Sequence, residues 1–420
     1  MLRTTGTALA LAFGFLGTAS AQSVIQTTAG NYGGSRYGAH VTIVGDLNQD
    51  GLDDYAVCAS GSAPFLQTDP NAYVGIRSGL DGSLIRELHG PIPFQNFAAS
   101  IAGPGDLNLD GTPDVVVGAT PSPQWRRGNA FPFSGANGAI LAFSPGMAPT
   151  NGFGVAVAAA GDINSDGRPD FAIGANSHSS GGLNAGAVFI MSVPPVGVVN
   201  VVLRSSIARN PGDLFGSALA SVGDLDSDGF SDLAVSAPTT LNGVASGYVE
   251  VLSGATGAVV HHFNALGTGD GYGLGLGAIG DIDGDTVGDI GVGAPVGTYA
   301  VCYSGATGSQ IRQHNDVQGT QFGFAVEGVG DLNGDARSDY AIARPGPSFS
   351  PGSVDICSGS DGSIIFTLVA QPLTIDQYGA SLAGGSDLNG DGKLDLVVGE
   401  PKSFLSPSSV LGHAYVISLH

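Results

Sequence analysis

The sequence predicts an all-β protein, a seven-bladed β-propeller with four antiparallel strands in each blade. Three observations support this. The chain of 420 residues contains 69 Gly and is only 12% charged, yet it is 42% hydrophobic, which favours short strands joined by glycine turns over helices or disorder. A short acidic motif recurs seven times, at intervals of 50 to 62 residues. Each copy is followed by an apolar run typical of a strand.

The acidic motif has a constant position within each repeat. One copy reads "GDINSDGRPDFAIGAN" from Gly161 to Asn176. The first aspartates of the copies are Asp46, Asp106, Asp162, Asp224, Asp281, Asp331 and Asp387. A pair of an aromatic and a small residue precedes each: Tyr37-Gly38, Phe97-Ala98, Phe153-Gly154, Phe215-Gly216, Tyr272-Gly273, Phe322-Gly323 and Tyr378-Gly379. The fixed spacing indicates one structural unit per copy.

Each unit is predicted to contain four strands. The first begins at the aromatic–small pair and ends at the acidic loop. The second is the apolar run, such as "FAIGA" from Phe171, whose continuous hydrophobicity indicates burial on both faces. The third and fourth flank a tight turn such as Ala255-Thr256-Gly257. A two-layer sandwich would not need seven near-equal units, and a linear stack would need atypical end repeats.

The ring is predicted to close by joining the two ends of the chain. The last repeat stops after "GHAYVISLH", which supplies its third strand but no fourth. The segment Ser23 to Thr28, "SVIQTT", lies before the first repeat and is similar to the fourth-strand segment "SIIFTL" from Ser363. Pairing it with the C-terminal strand would complete the last blade and remove two exposed sheet edges.

Residues 1–21 are predicted to be a secretory signal peptide, which leaves 22–420 as the propeller. Arg3 precedes an apolar stretch from Ala8 to Leu16, and small residues end at Ala21. The stretch is shorter than the roughly 20 residues of a membrane span. We therefore expect a secreted, extracellular monomer, with the periplasm or the cell surface as alternatives. Cys58, Cys302 and Cys357 lie in strand-like runs, so buried free thiols are expected; one disulfide bond between two of them is the alternative.

The acidic loops have the spacing Asp-x-Asp/Asn-x-Asp-Gly-x-x-Asp, which predicts Ca²⁺ sites. Oxygens at alternate positions point inward, a backbone carbonyl at position seven adds a ligand, and the aspartate at position nine completes the ring. Hard oxygen ligands in a flexible loop suit Ca²⁺. An EF-hand would need a glutamate at position twelve and flanking helices, but position twelve counted from Asp162 is Ile173.

Up to seven Ca²⁺ are expected, in loops one to seven. The loops span 46–54, 106–114, 162–170, 224–232, 281–289, 331–339 and 387–395. The predicted ligands are Asp46, Asn48, Asp50, Leu52, Asp54; Asp106, Asn108, Asp110, Thr112, Asp114; Asp162, Asn164, Asp166, Arg168, Asp170; Asp224, Asp226, Asp228, Phe230, Asp232; Asp281, Asp283, Asp285, Val287, Asp289; Asp331, Asn333, Asp335, Arg337, Asp339; and Asp387, Asn389, Asp391, Lys393, Asp395. Loops five and six are weaker candidates, because Thr286 and Ala336 replace the glycine at position six.

These repeats resemble FG-GAP repeats, named for the Phe-Gly start and an ending such as Gly293-Ala294-Pro295. Such repeats build the seven-bladed propeller at the N-terminus of integrin α subunits and occur in many secreted bacterial proteins. The resemblance covers about residues 23 to 420 and implies the fold, the calcium loops and a role in binding or adhesion. It does not extend to the ligand, because no Arg-Gly-Asp occurs in the chain.

The charge of the chain fits bound cations better than a basic partner. Seven Ca²⁺ would change the formal net charge from −22 to −8, an ordinary value for a soluble protein, so nucleic acid is not an expected partner. Few carboxylates lie outside the acidic loops, so few are free for glycosidase chemistry. The hydrolase motif Gly-x-Ser-x-Gly and the metalloprotease motif His-Glu-x-x-His do not occur. The neighbours His261 and His262 would point to opposite faces of a strand. A non-enzymatic binding module is the main hypothesis; a polysaccharide lyase and a purely structural protein are the alternatives.

The predicted ligand face lies opposite the acidic loops. We call it the opposite face; it comprises the loops that join strand two to strand three and strand four to the next blade. The Asp-loop face comprises the acidic loops and the turns between strands three and four. The opposite-face loops vary most and include the single tryptophan, Trp125, with Arg126 and Arg127. The cations Arg36, Arg204, Arg209, Arg344 and Lys402 are also placed there, as are Phe65, Phe94, Phe349 and Phe404. An unknown extracellular protein or glycan is the expected partner.

Overall fold

The computed structural model shows seven antiparallel four-stranded sheets. It describes residues 23–32, 35–60, 72–91, 96–121, 127–142, 144–145, 152–194, 201–208, 210–238, 246–317, 319–346, 351–370, 377–401 and 411–419. Within these ranges no helix has the length and apolar composition that a membrane span requires. The predicted all-β propeller with four strands per blade is confirmed.

Blades one to six are each built from consecutive strands. Blade one contains β2 (Arg36–Gly45), β3 (Asp54–Ser60), β4 (Tyr73–Arg77) and β5 (Leu84–His89). Blade two contains β6 (Asn96–Gly105), β7 (Asp114–Thr120), β8 (Asn129–Phe133) and β9 (Ser144–Pro145). Blade three contains β10 (Phe153–Gly161), β11 (Asp170–Ala175), β12 (Ala187–Ser192) and β13 (Val201–Ile207). Blade four contains β14 (Leu219–Gly223), β15 (Asp232–Ala237), β16 (Tyr248–Leu252) and β17 (Val259–Asn264). Blade five contains β18 (Gly275–Gly280), β19 (Asp289–Ala294), β20 (Tyr299–Tyr303) and β21 (Gln310–Asn315). Blade six contains β22 (Val326–Gly330), β23 (Asp339–Arg344), β24 (Ser353–Cys357) and β25 (Ile364–Val369).

Blade seven joins both ends of the chain. It contains β26 (Ser381–Ser386), β27 (Asp395–Glu400), β28 (His413–Ser418) and, as its outer strand, β1 (Ser23–Ala29). β1 runs antiparallel to β28, with Ser23 opposite Ser418 and Ala29 opposite His413. The predicted closure by residues 23–28 is therefore confirmed, and the last sheet has the same four-stranded order as the other six.

The first strand of every blade lies at the centre of the ring. Each of these strands contacts the first strands of both neighbouring blades, in the circular order β2, β6, β10, β14, β18, β22 and β26. The second strands are buried along nearly their whole length, as their apolar runs predict. Cys58, Cys302 and Cys357 are buried free thiols, so the expectation of unpaired cysteines is confirmed.

The hydrophobic core is divided into seven clusters, and each cluster lies between two neighbouring blades. Tyr37 and Val57 of blade one, for example, pack with Val397 and Val416 of blade seven. The other six clusters join the remaining pairs of adjacent blades in the same way. A blade therefore buries its apolar side chains only when both neighbours are present.

In several repeats, the glycine after the aromatic residue of strand one packs against a glycine of the second strand in the preceding blade. Gly38 has a φ of 88°, a left-handed conformation that favours glycine. A methyl group at Gly399, near the end of β27, would lie 2.2 Å from the carbonyl oxygen of Gly38. The same close approach pairs Gly174 with Gly216 and Gly293 with Gly323. The aromatic–Gly start of one blade thus packs on a glycine near the end of the second strand in the preceding blade.

The left-handed glycine also changes where strand one begins. In blades one to three the strand includes the aromatic–small pair, as predicted, with a register shift just after it. In the last four blades the prediction is wrong by three or four residues, because the strands begin at Leu219, Gly275, Val326 and Ser381. A left-handed residue interrupts the hydrogen-bonded ladder, and in these blades the ladder starts only beyond it.

Outer strands are joined to the next blade by side-chain hydrogen bonds to a turn. Arg86 donates to the carbonyl of Ala136 (2.9 Å), and Arg312 donates to that of Gly359 (3.1 Å). Gln26, Arg204 and His261 contact the carbonyls of Gly79, Gly254 and Gly305 in the same manner. These contacts place Arg204 on the Asp-loop face, so its assignment to the opposite face is wrong. His262 points away from His261 and contacts Glu250, as expected for neighbours on a strand.

One carboxylate lies among the first strands. Glu327 on β22 is partly buried and accepts a hydrogen bond from the backbone N–H of Gly384 on β26, and desolvation in this position raises its pKa to about 8. On the other side, a methyl group at Gly277 of β18 would lie 3.3 Å from Glu327 Oε2. Within the described ranges no Lys, Arg or His side chain forms an ion pair with it.

Replacing Glu327 with glutamine is expected to stabilise the protein at pH 8 and to have little effect at pH 4. Because the pKa is raised to about 8, the folded protein holds this proton when the unfolded chain has lost it. Stability therefore falls as pH rises from the ordinary glutamate pKa of about 4.3 towards 8. The variant escapes this loss, so its melting temperature should exceed that of the unmodified protein by a few degrees at pH 8. An equal difference at both pH values would contradict this explanation.

Candidate metal-binding loops

All seven acidic loops have one hydrogen-bonded structure. The carboxylate at position one accepts from the backbone N–H at position six in every loop, at 2.7–2.9 Å. The aspartate at position five accepts from the N–H at position seven, at 2.9–3.0 Å. The aspartate at position nine accepts from the N–H at position two, at 2.8–3.0 Å. Loops five and six share this structure with the others.

Positions four and six of each loop have a left-handed backbone, and at least one of the two is glycine. In loops one to four, position six is glycine and position four is not, as with Gly51 and Gln49 (φ 62°). In loops five and six the glycine is at position four, and Thr286 (φ 76°) and Ala336 (φ 64°) are left-handed at position six. The residues that made these two loops weaker candidates therefore do not change the loop conformation.

The position-nine aspartates connect the loops to the turns between strands three and four. All seven are almost completely buried. In five blades the second oxygen accepts a backbone N–H from the glycine that begins the turn, as in Gly254 to Asp232 (2.8 Å) and Gly305 to Asp289 (3.0 Å). The acidic loops and these turns therefore lie on the same face, as predicted.

Burial makes the position-nine carboxylates difficult to ionise without a compensating cation. It raises the pKa of Asp54, Asp170, Asp289 and Asp395 to about 6 and that of Asp114 to about 7. The pKa values of Asp232 and Asp339 are raised for the same reason. A divalent cation nearby would favour the charged form of each.

Serines of the same turns are a component that the sequence interpretation missed. Ser253 donates to Asp228 at 2.9 Å, and Ser358 donates to Asp335 at 3.3 Å. Ser78 and Ser134 make the equivalent contact with the position-five aspartates of their blades, and in blade seven Ser418, the last residue of β28, makes it. The sequence does contain a pattern that marks these serines, the repeated Ser-Gly-x-x-Gly at Ser253 and Ser304. Its glycines predict the tight turn, but nothing in the pattern alone indicates that the serine contacts the acidic loop.

In two of the loops, three carboxylates lie close enough together to hold a cation. In loop four, oxygens of Asp224, Asp226 and Asp232 lie within 4.8 Å of one another, and in loop five those of Asp281, Asp283 and Asp285 do so. In loops one to three, the position-three asparagine donates its amide to the position-five aspartate, as in Asn48 to Asp50 (2.8 Å). The atoms of these loops that could bind a metal are all oxygens, so the residues present fit a hard cation such as Ca²⁺.

The predicted ligand residues of the opposite face are only partly described. Trp125 and Arg126 lie outside the described residues, as do Arg209, Lys402 and the four phenylalanines assigned to this face. Arg127 is exposed just before β8. Arg36 donates to Gln377 (3.0 Å), while Arg344 forms ion pairs with Asp316 and Asp355. Both of these arginines therefore have internal structural contacts.

A closed ring of seven blades with an acidic loop in each defines a β-propeller repeat protein. Residues 94–173 match the family described as FG-GAP-like repeat, and residues 215–260 and 378–417 match the FG-GAP repeat. With the seven blades, these matches make the chain an integrin-like FG-GAP β-propeller.

Similar proteins include several integrin α subunits. The chain is 29% identical to integrin alpha-4 of Xenopus laevis over 223 residues, which is 51% of this chain and 21% of the relative. It is 32% identical to integrin alpha-5 of Xenopus laevis over 232 residues, which is again 51% of this chain and 21% of the relative. It is 35% identical to integrin alpha-IIb of Mus musculus over 85 residues, 20% of this chain and 8% of the relative. The chain thus spans about a fifth or less of the length of these relatives.

Proposed function

We propose that the protein is a secreted, calcium-stabilised binding module whose opposite face recognises an extracellular protein or glycan. The observation that carries this proposal is the separation of the two faces. On the Asp-loop face, the aspartates hydrogen-bond to their own loop and to the adjacent turn, so these residues have a structural role. The opposite face carries the connections that differ most in length and sequence, where recognition usually lies.

The similarity to integrin α subunits supports a binding role for this scaffold. Ca²⁺ would be held by the carboxylate and amide oxygens of positions one, three, five and nine, together with the carbonyl of position seven. In that state the cation would neutralise aspartates that otherwise repel one another. The protein would act as a monomer after removal of residues 1–21, and binding, not catalysis, would be its main role.

A screen for ligands in the presence of Ca²⁺ tests this proposal. The protein is applied to arrays of glycans and extracellular proteins, and candidate polysaccharides are incubated with it to detect cleavage. Selective binding without turnover is the expected result. Cleavage of a polysaccharide would indicate a lyase instead, and the absence of any selective ligand would favour a purely structural protein.

Once a ligand is found, the variants Trp125→Ala and Arg127→Ala should weaken its binding by about tenfold or more, because aromatic and arginine side chains often dominate interfaces. Lys393→Ala is the matched control, since it removes an exposed positive charge from the Asp-loop face. Asp228→Ala should mainly lower the melting temperature. If Asp228→Ala stays folded and alone fails to bind, the ligand face has been assigned to the wrong side of the ring.

A further inference from the structure

A basic side chain of loop six lies against the acidic cluster of loop five. Arg337 Nη1 is 4.0 Å from Asp281 Oδ1, and Asp281 belongs to the cluster with Asp283 and Asp285. The backbone N–H of Ser338 also donates to the carbonyl oxygen of Asp281, at 2.9 Å. The backbones of the two loops are therefore held together where the guanidinium reaches across.

The glycine at position four of loop five makes room for this guanidinium. Gly284 is left-handed, with a φ of 81°, and a methyl group there would overlap the terminal atoms of Arg337. At the equivalent Gly334 of loop six, a methyl group would meet nothing within 4 Å. At Gly390 of loop seven it would meet the apolar side chain of Leu52, at 3.3 Å. Among these three loops, a guanidinium occupies the space only in loop five.

The contact is electrostatic and partly shielded from solvent. The side chains of Arg337 and Asp281 are 33% and 28% exposed. Arg337 Nη1 is buried and has no hydrogen-bond partner among the described residues. A buried N–H without a hydrogen bond is costly, so the attraction of the Asp281 carboxylate is the interaction that favours this position.

We propose that Arg337 is a built-in counter-ion of loop five, which lowers the affinity of this loop for divalent cations relative to the other loops. The proposal rests on the calcium loops of the proposed function. A guanidinium next to Asp281 repels an incoming Ca²⁺ and already balances part of the negative charge that would attract it. Loop five therefore keeps its conformation at calcium concentrations too low to fill it.

Arg168 supplies a matched control on the same face. It occupies position seven of loop three, as Arg337 does in loop six, and it also reaches the preceding loop. Its Nη1, however, donates to the main-chain carbonyl of Leu107, at 3.1 Å. Replacing Arg168 removes the same charge and a similar inter-loop contact, but among the described residues Arg168 forms no ion pair with a carboxylate, whereas Arg337 does.

The test compares the unmodified protein with Arg337→Gln and Arg168→Gln by calcium titration calorimetry and by melting in EDTA and in excess Ca²⁺. In Arg337→Gln, the affinity of one site should rise about tenfold, as expected for removal of one nearby positive charge at a partly exposed site. Its melting temperature should fall in EDTA, and the rise on adding Ca²⁺ should be larger than in the unmodified protein. Arg168→Gln should leave the affinities unchanged. Adding Asp283→Asn to Arg337→Gln should abolish the gain.

Two results would overturn the proposal. One is an Arg337→Gln titration identical to that of the unmodified protein; the other is a melting temperature lowered equally with and without Ca²⁺, which would indicate a purely structural contact. If the unmodified protein binds Ca²⁺ and only the variant behaves unexpectedly, the counter-ion role fails and the calcium loops stand. If none of the proteins binds Ca²⁺, both proposals fail.

Discussion

Removing residues 23–28 lowers the melting temperature by at least roughly 10 °C or prevents folding. These residues form most of β1, the outer strand of the last blade, and its ladder with β28 extends from Ser23 to Ala29. Thr28 accepts a hydrogen bond from Tyr37 of blade one (3.0 Å), and Gln26 reaches the turn at Gly79. The deletion therefore exposes an edge of β28 and also weakens the junction between the last blade and the first.

The measurement is a thermal melt of a chain that begins at Gln22, with and without the deletion. Adding the peptide Ser-Val-Ile-Gln-Thr-Thr to the shortened protein should restore part of the lost stability, whereas a scrambled peptide should not. An unchanged melting temperature after deletion would show that ring closure by β1 contributes little to stability.

Chelation of calcium is expected to give the second large effect. A ligand that binds only the folded state stabilises it by RT ln(1 + [L]/Kd). With extracellular sites of Kd near 10⁻⁴–10⁻³ M, millimolar Ca²⁺ would contribute about 0.4–1.4 kcal/mol per loop. Summed over the loops, this should raise the melting temperature by roughly 5–10 °C relative to a sample in EGTA.

Mg²⁺ at the same concentration is the control for general ionic effects, because it is smaller and demands a more rigid octahedral site. Asp228→Ala should lose part of the calcium-dependent increase, since it removes one carboxylate from a single loop. Coincident melting curves in EGTA and Ca²⁺, with no bound calcium by elemental analysis, would contradict the calcium sites.

The repeat made most of the fold predictable, because strand order and ring closure depend on patterns within a single unit. Contacts between units were not predictable in the same way. Arg204 and the carbonyl of Gly254 are 50 residues apart, and no local pattern indicates that an outer strand reaches the next turn. The assignment of Arg204 to the opposite face was wrong for this reason.

The candidate loops were predictable in position but not in all of their chemistry. The alternation of oxygen-bearing residues located every loop, whereas the preference for glycine was assigned to position six alone. Thr286 and Ala336 show that the backbone can instead place its glycine at position four, as in Gly284 and Gly334. The contact between Arg337 and Asp281 depends on that glycine, so it could not be foreseen while position four was treated as free.

The two left-handed positions also bear on how such loops can change in evolution. Loop seven has glycine at both positions, Gly390 and Gly392, and can lose either one at a cost of about 1–2 kcal/mol for a left-handed non-glycine residue. Losing the glycine at position four produces the arrangement of loops one to four. Losing the glycine at position six produces that of loops five and six. A loop with two glycines is therefore a mutational intermediate that connects the two types through single substitutions. A glycine at position four leaves an opening that a neighbouring side chain can occupy, as the guanidinium of Arg337 does in loop five.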